Sequence, residues 1–267
     1  MPKVKVNDIN INYETTGKGP ALVLISGLGY PQWQWHKMVP FLAEHFQVIT
    51  FDNRGVGETD KPAGPYSAQL LASDTVALLD ELGIQKAAIF GHSMGGYIAQ
   101  SMALDFHDRV ERLILASTNF GGPHHVPVTP EAWAVLSDTT SDPLTRFTNG
   151  LKVSTAPGWA DSHPEIIKEW VAWRIANPLD MAGYQSQMAI GLALIPAEAA
   201  FENRLSSIKI PTLILFGDSD MVVPPANAQL LAGKIDNASV VILPNAGHFF
   251  PIEVPEAASQ AVIDFMK

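Results

Sequence analysis

Six short and almost wholly apolar runs, residues 21–25, 48–51, 87–90, 113–116, 213–216 and 240–243, alternate with segments of helical period. A strand that is apolar on both faces must be covered on both faces. That condition fits a parallel sheet under crossover helices, not a half-exposed antiparallel one. The intervening segments supply the cover. Residues 67–82 place Leu71, Thr75, Leu78 and Leu82 on one stripe and stop at Gly83; residues 96–106, 226–235 and 256–267 read likewise. Only the start differs, where runs 4–6 and 9–13 flank Asn7-Asp8 and predict an antiparallel hairpin. The expectation is an α/β fold: a mostly parallel eight-stranded sheet with helices on both faces.

One stretch breaks the alternation. Residues 121–206 contain no strand pattern, eight prolines and four of the six tryptophans, Trp133, Trp159, Trp170 and Trp173. A segment of that length with helical stretches of its own reads as an inserted helical cap rather than a loop. The predicted division is a core of residues 1–120 and 207–267, with residues 121–206 as the cap.

Composition removes several classes of function. Seventeen basic against 27 acidic residues leave a net charge of −10, which argues against nucleic-acid binding. Charged residues make up 16% of the chain, below the usual ~25%, so a large core is expected and disorder is not. Cysteine is absent, which removes disulfides, thiolate nucleophiles and thiolate metal sites. The N-terminus has no apolar secretion signal, and the run at 21–25 is far short of the roughly 20 residues that span a bilayer. A cytoplasmic protein with no membrane contact is expected, as monomer or homodimer.

The chemistry centres on Gly91-His92-Ser93-Met94-Gly95-Gly96, which follows the run at 87–90 and precedes a helix. A serine at a sharp strand-to-helix turn presents its hydroxyl above the sheet, and small residues two before and two after it permit the turn. Such a serine needs a base, and the base needs an acid to orient it. His248, in Asn245-Ala246-Gly247-His248 after the last strand, supplies an imidazole at the C-terminal edge of the sheet, where sites in open α/β sheets lie. Gly217-Asp218-Ser219-Asp220 follows the preceding strand and offers two carboxylates that spacing alone does not separate. His92 is too close to Ser93 along a tight turn to act as its base and reads as packing or loop support. His124-His125 lack metal-ligand spacing, and Asp52 and Arg54 read as fixing their own turn. No metal or organic cofactor is implied. Gly27-x-Gly29 and Gly55-x-Gly57 lack the third glycine of a dinucleotide loop.

Taken together, the serine turn, Ser26-Gly27-Leu28-Gly29, Asp52-Asn53-Arg54-Gly55-Val56-Gly57, Gly217-x-x-Asp220 and Gly247-His248 resemble the α/β-hydrolase superfamily over nearly the whole chain. The resemblance implies Ser93, Asp220 and His248 as a catalytic triad, with the N–H groups of Leu28 and Met94 as the oxyanion hole. It departs from the family at Ser26-Gly27, where a His-Gly pair is usual, so a loop-stabilising imidazole is missing. Ser93 sets aside the dehalogenases and epoxide hydrolases, whose elbow carries aspartate. Gly29-Tyr30-Pro31 departs from the loop of the meta-cleavage C–C hydrolases. A carboxylic ester hydrolase working through an acyl-enzyme on a small-molecule ester is therefore expected. A lactonase of the 3-oxoadipate enol-lactonase type and a cofactor-free perhydrolase are the alternatives, and a small-molecule receptor that retains the triad is the reading from another class. Trp159 and Trp173 of the cap are expected to touch the substrate.

Overall fold

The unbroken apolar runs become the middle of one eight-stranded sheet in the computed structural model, which describes residues 2–138 and 140–267. Its strands are β1 (Lys3–Val6), β2 (Ile9–Thr16), β3 (Ala21–Ile25), β4 (Gln47–Phe51), β5 (Ala87–His92), β6 (Val110–Ala116), β7 (Thr212–Gly217) and β8 (Ala238–Leu243), in the order β1-β2-β4-β3-β5-β6-β7-β8. Every pairing from β4 to β8 is parallel, while β1–β2 and β2–β4 are antiparallel. Asn7 takes the hairpin turn with φ of 50°, a left-handed position that asparagine tolerates. Strand β2 continues beyond its expected end at Tyr13, because Thr16 still finds a partner in Val48.

Alternate residues of each central strand feed two separate cores. In β3, Val23 and Ile25 pack with Leu71, Leu78 and Leu79 of α2 (Ala68–Glu81) and Ile98 and Met102 of α3 (Met94–Asp105). Leu22 and Leu24 pack on the other side with Leu42 of α1 (Val39–Leu42) and Val262 of α11 (Pro255–Met266). This two-sided burial is why the strands read as continuous apolar runs. Helix α2 starts where Ser67 accepts the Leu70 N–H and ends before Gly83, which takes φ of 69°.

Between β6 and β7 the described residues form helices and no strand: α4 (Pro130–Leu136), α5 (Pro143–Ser154), α6 (Trp159–Ser162), α7 (Pro164–Ala176) and α8 (Met181–Ala193). Three of the eight prolines in residues 121–206 start helices. Pro130, Pro143 and Pro164 each open one, where the missing N–H costs nothing. Thr129, Asp142 and Asp180 cap α4, α5 and α8. A third, smaller core holds Leu151, Trp170, Phe249 and Ile252 together, so the inserted helices rest on α10 (Phe250–Glu253) and the residues just before it. Helix α9 (Ala226–Ala232) completes the layer beside α2 and α3. Among the described residues no helix is long and apolar enough to cross a membrane.

Candidate active site

Because β3, β5, β7 and β8 run parallel, the segments after them emerge at one edge of the sheet, and the candidate residues emerge with them. Ser93 follows β5 with φ of 56° and ψ of −119°, a conformation that L-residues rarely adopt. Three bonds hold it there: its N–H donates to Ala116 O at 2.9 Å, and its carbonyl accepts the Thr118 hydroxyl at 2.8 Å and the Gly96 N–H at 2.9 Å. The elbow glycines are required by close approach. A Cβ on Gly91 would stand 2.2 Å from Gly95 O, and one on Gly95 would stand 2.2 Å from Ile25 O. Met94 opens α3, where N–H groups lack intrahelical acceptors.

Asp220 and His248 meet across the next two loops. His248 Nδ1 lies 2.9 Å from Asp220 Oδ2, with both residues buried. The other Asp220 oxygen accepts the N–H groups of Val222 and Val223 at 2.9 and 2.8 Å, which locks the carboxylate plane. Asp218 takes a different part. It accepts the N–H groups of Asn245 and Ala246 at 3.0 and 3.3 Å and so anchors the loop that carries His248. Among the described residues no hydrogen bond joins the Ser93 hydroxyl to His248. Rotation about χ1 is the adjustment that a serine makes cheaply, and resting sites often tighten only with substrate present.

Leu28 sits between two pinned amides. Gly27 N–H donates to Gln34 Oε1 and Gly29 N–H to Gln187 Oε1, both at 3.0 Å, which fixes the peptide planes on either side. Gln187 also donates to Arg54 O at 2.9 Å, tying α8 to both loops. A cavity of about 230 Å³ opens at Ser93, lined by Leu28, Met94, Tyr97, Thr118, Gln187, Met188, Gly191, Leu192 and Val223. Neither tryptophan assigned to the substrate lines it. Trp173 stacks on Trp33 with ring centroids 4.2 Å apart, and Trp159 stacks on His163 at 4.4 Å beside a separate depression. Of the four tryptophans between β6 and β7, Trp170 is buried, Trp159 and Trp173 are half-buried in ring stacks, and Trp133 is exposed. The lining residues that sequence reasoning missed did leave signals. Tyr97 lies one helical turn after Ser93, and no charged residue occurs between Asp180 and Glu198, the stretch that holds α8.

Other singled-out side chains are accounted for by local bonds. Arg54 bridges Asp74 and Asp8, Asp52 accepts the Gln32 N–H at 2.9 Å, and His124 pairs with Glu202 at 2.8 Å. Among the described residues no group of three His, Asp or Glu side chains could hold a metal ion.

Glu253 is a titratable neighbour of the site that the sequence did not flag. Its carboxylate accepts Ala156 N–H at 2.7 Å and Gly247 N–H at 3.1 Å, joining the inserted helices to the His248 loop. Burial pushes its pKa up to about 7 from 4.5 and Asp220 adds to the rise, against the pull of those N–H groups and His248. Since the folded value exceeds the unfolded one, the stabilisation is complete below about pH 4.5 and is lost as pH rises through about 7. Denaturant unfolding at pH 5 and pH 8 should show the parent losing about 2–3 kcal/mol more than Glu253→Gln over that interval. Equal losses in the two proteins would refute the assignment.

Residues 20–255 match the family model described as alpha/beta hydrolase fold. The chain is 30% identical over 266 residues to 3-oxoadipate enol-lactonase 2 of Acinetobacter baylyi, covering 97% of this chain and 94% of that enzyme. Its structure is similar to a thermophilic esterase from Thermogutta terrifontis, with a TM-score of 0.82, 27% identity and coverage of 100% and 98% of the two chains. It is also similar to a meta-cleavage product hydrolase from Pseudomonas fluorescens, with a TM-score of 0.85, 26% identity and coverage of 100% and 97%. Sheet order, elbow and family match agree: the chain belongs to the alpha/beta hydrolase family.

Proposed function

We propose that this hydrolase cleaves the carboxylic ester bond of a small molecule through an acyl-enzyme on Ser93. The observation that carries the reading is the 2.9 Å contact between His248 Nδ1 and Asp220, at the sheet edge where the strained Ser93 opens into the cavity. Asp220 accepts the hydrogen bond from Nδ1–H, which fixes the ring proton on Nδ1 and leaves Nε2 free to act as base. His248 takes the Ser93 proton as Oγ attacks the ester carbonyl, and the Leu28 and Met94 N–H groups hold the oxyanion. Donors placed in this way are worth about 3–4 kcal/mol each. His248 then returns the proton to the departing alcohol, activates a water against the acyl-enzyme, and frees the acid and Ser93.

A cavity of about 230 Å³ lies below the ~300–1,000 Å³ of sites for drug-sized ligands, which supports a small substrate. Residues 121–206 act as a cap in this reading: α8 supplies Gln187, Met188, Gly191 and Leu192 as the roof. An intramolecular ester, a lactone, would undergo the same steps with the leaving alcohol still tethered. The 30% identity to an enol-lactonase favours keeping that second reading. A panel of acyl esters of rising chain length beside small lactones tests both. Hydrolysis of short esters with a burst of product supports the esterase, and a higher kcat/KM on lactones moves the assignment to the second reading. Binding without turnover across the panel overturns both.

A further inference from the structure

The loop that carries Leu28 lacks the imidazole that usually steadies it, yet an imidazole stands against it from another direction. A Cβ on Gly27 would lie 3.2 Å from Ser93 Cβ and 3.4 Å from His92 Nδ1, so the loop packs directly on the elbow. Between the two runs a buried chain of hydrogen bonds. Gly27 N–H donates to Gln34 Oε1 at 3.0 Å, Gln34 Nε2 lies 2.9 Å from His92 Nδ1, and His92 Nε2 lies 2.8 Å from His248 O. Gln34 and His92 are 0% and 1% exposed, so water does not compete for these bonds.

The chain has one consistent direction. Gly27 can only donate, which turns the Gln34 oxygen toward it and the Gln34 amide nitrogen toward His92. Nδ1 of His92 must then accept, which puts the ring proton on Nε2, and the only role left for His248 O is to accept it. We propose that Gln34 and His92 are positioning residues: they form a rigid strut that holds the oxyanion loop and the base loop at one separation across Ser93. The inference rests on the esterase reading above. Trp35 and Phe250 wall the His92 ring at 6.2 and 5.7 Å, both edge-on. Burial, and then the His248 ring 4.8 Å away, hold the His92 pKa well below its ordinary value. When His248 becomes an imidazolium during turnover, its charge opposes protonation of His92 further. Nδ1 therefore stays an acceptor, and the strut survives the step in which it is needed.

Two variants test the strut. Gln34→Met keeps the length and removes both bonds; Gln34→Glu keeps the acceptor facing Gly27 but sets a second oxygen against Nδ1. For Gln34→Met, kcat on a short ester should fall about 10–100-fold with KM within about twofold, since small misplacements near reacting groups cost up to ~10²-fold. Affinity for an alkylboronic acid, whose adduct occupies the oxyanion hole, should fall by the same factor. A role in folding alone would lower melting temperature and leave that ratio unmoved. Gln34→Glu should lose less, and its kcat–pH profile should gain an ionisation as the carboxylate draws a proton onto His92. If Gln34→Met does not fold, Gln34→Glu decides alone: lowered kcat with the new ionisation supports the strut, and the parental profile overturns it. Parental kcat and boronate affinity in a folded Gln34→Met also overturn it. Ser93→Ala, run alongside, separates the two levels: if it keeps activity, the underlying esterase reading fails instead.

Discussion

Replacing Ser93 with alanine should lower kcat on any ester the protein hydrolyses by about 10⁴-fold or more, as removal of a triad nucleophile does elsewhere. The fold should not notice the change. The bonds that hold residue 93 in place belong to its backbone, through Ala116 O, the Thr118 hydroxyl and the Gly96 N–H, and an alanine would make all three. Alanine meets the same penalty as serine at φ of 56°, so the elbow should neither relax nor tighten. Circular dichroism and melting temperature, measured with the kinetics, check this. Activity above about one hundredth of the parent, with an unchanged spectrum, would remove Ser93 from the mechanism.

Asp220→Asn should cost about 10⁴-fold in kcat, by the logic of a triad held in the wrong tautomer. Oδ1 of Asp220 already accepts the N–H groups of Val222 and Val223, so an asparagine would keep its oxygen there. Its amide would then face His248 Nδ1 as a donor, push the ring proton to Nε2, and block that atom as a base. Asp218→Asn sets the contrast. That side chain accepts from Asn245 and Ala246, and losing one acceptor should reduce stability by about 1–3 kcal/mol while kcat stays within about tenfold. Paired kinetics and denaturant unfolding read both quantities. The reverse ranking would transfer the acid to Asp218 and leave Ser93 and His248 where they are.

How much of this was legible in the chain depends on how local the signal is. The burial of β3 on both faces is written into five consecutive apolar residues, and the serine turn into six more, so the mostly parallel sheet and the elbow were readable. The meeting of an acid with His248 was readable too, since each follows a parallel strand by a few residues, but spacing left Asp218 and Asp220 open and only the family resemblance pointed to Asp220. Gln34 and Gln187 were not. Each acquires its part from a bond to a residue 58 or 158 positions away, and a lone glutamine carries no periodicity or spacing that announces it. The tryptophans, which do not line the cavity at Ser93, differ for the opposite reason. A large aromatic side chain signals that something will cover it, and Trp173 satisfies that signal equally well against Trp33 as against a substrate.

The left-handed backbone at Ser93 bears on how sequences for this fold would be ranked by stability alone. A non-glycine residue held in a sparsely populated conformation costs on the order of 1–3 kcal/mol, a sizeable part of the roughly 5–15 kcal/mol that separates folded from unfolded chains. Glycine would adopt the same angles without that cost. The most stable occupant of position 93 is therefore a residue with no hydroxyl. Any redesign or screen of this scaffold that rewards thermal resistance without an activity check would remove the proposed nucleophile among its first improvements.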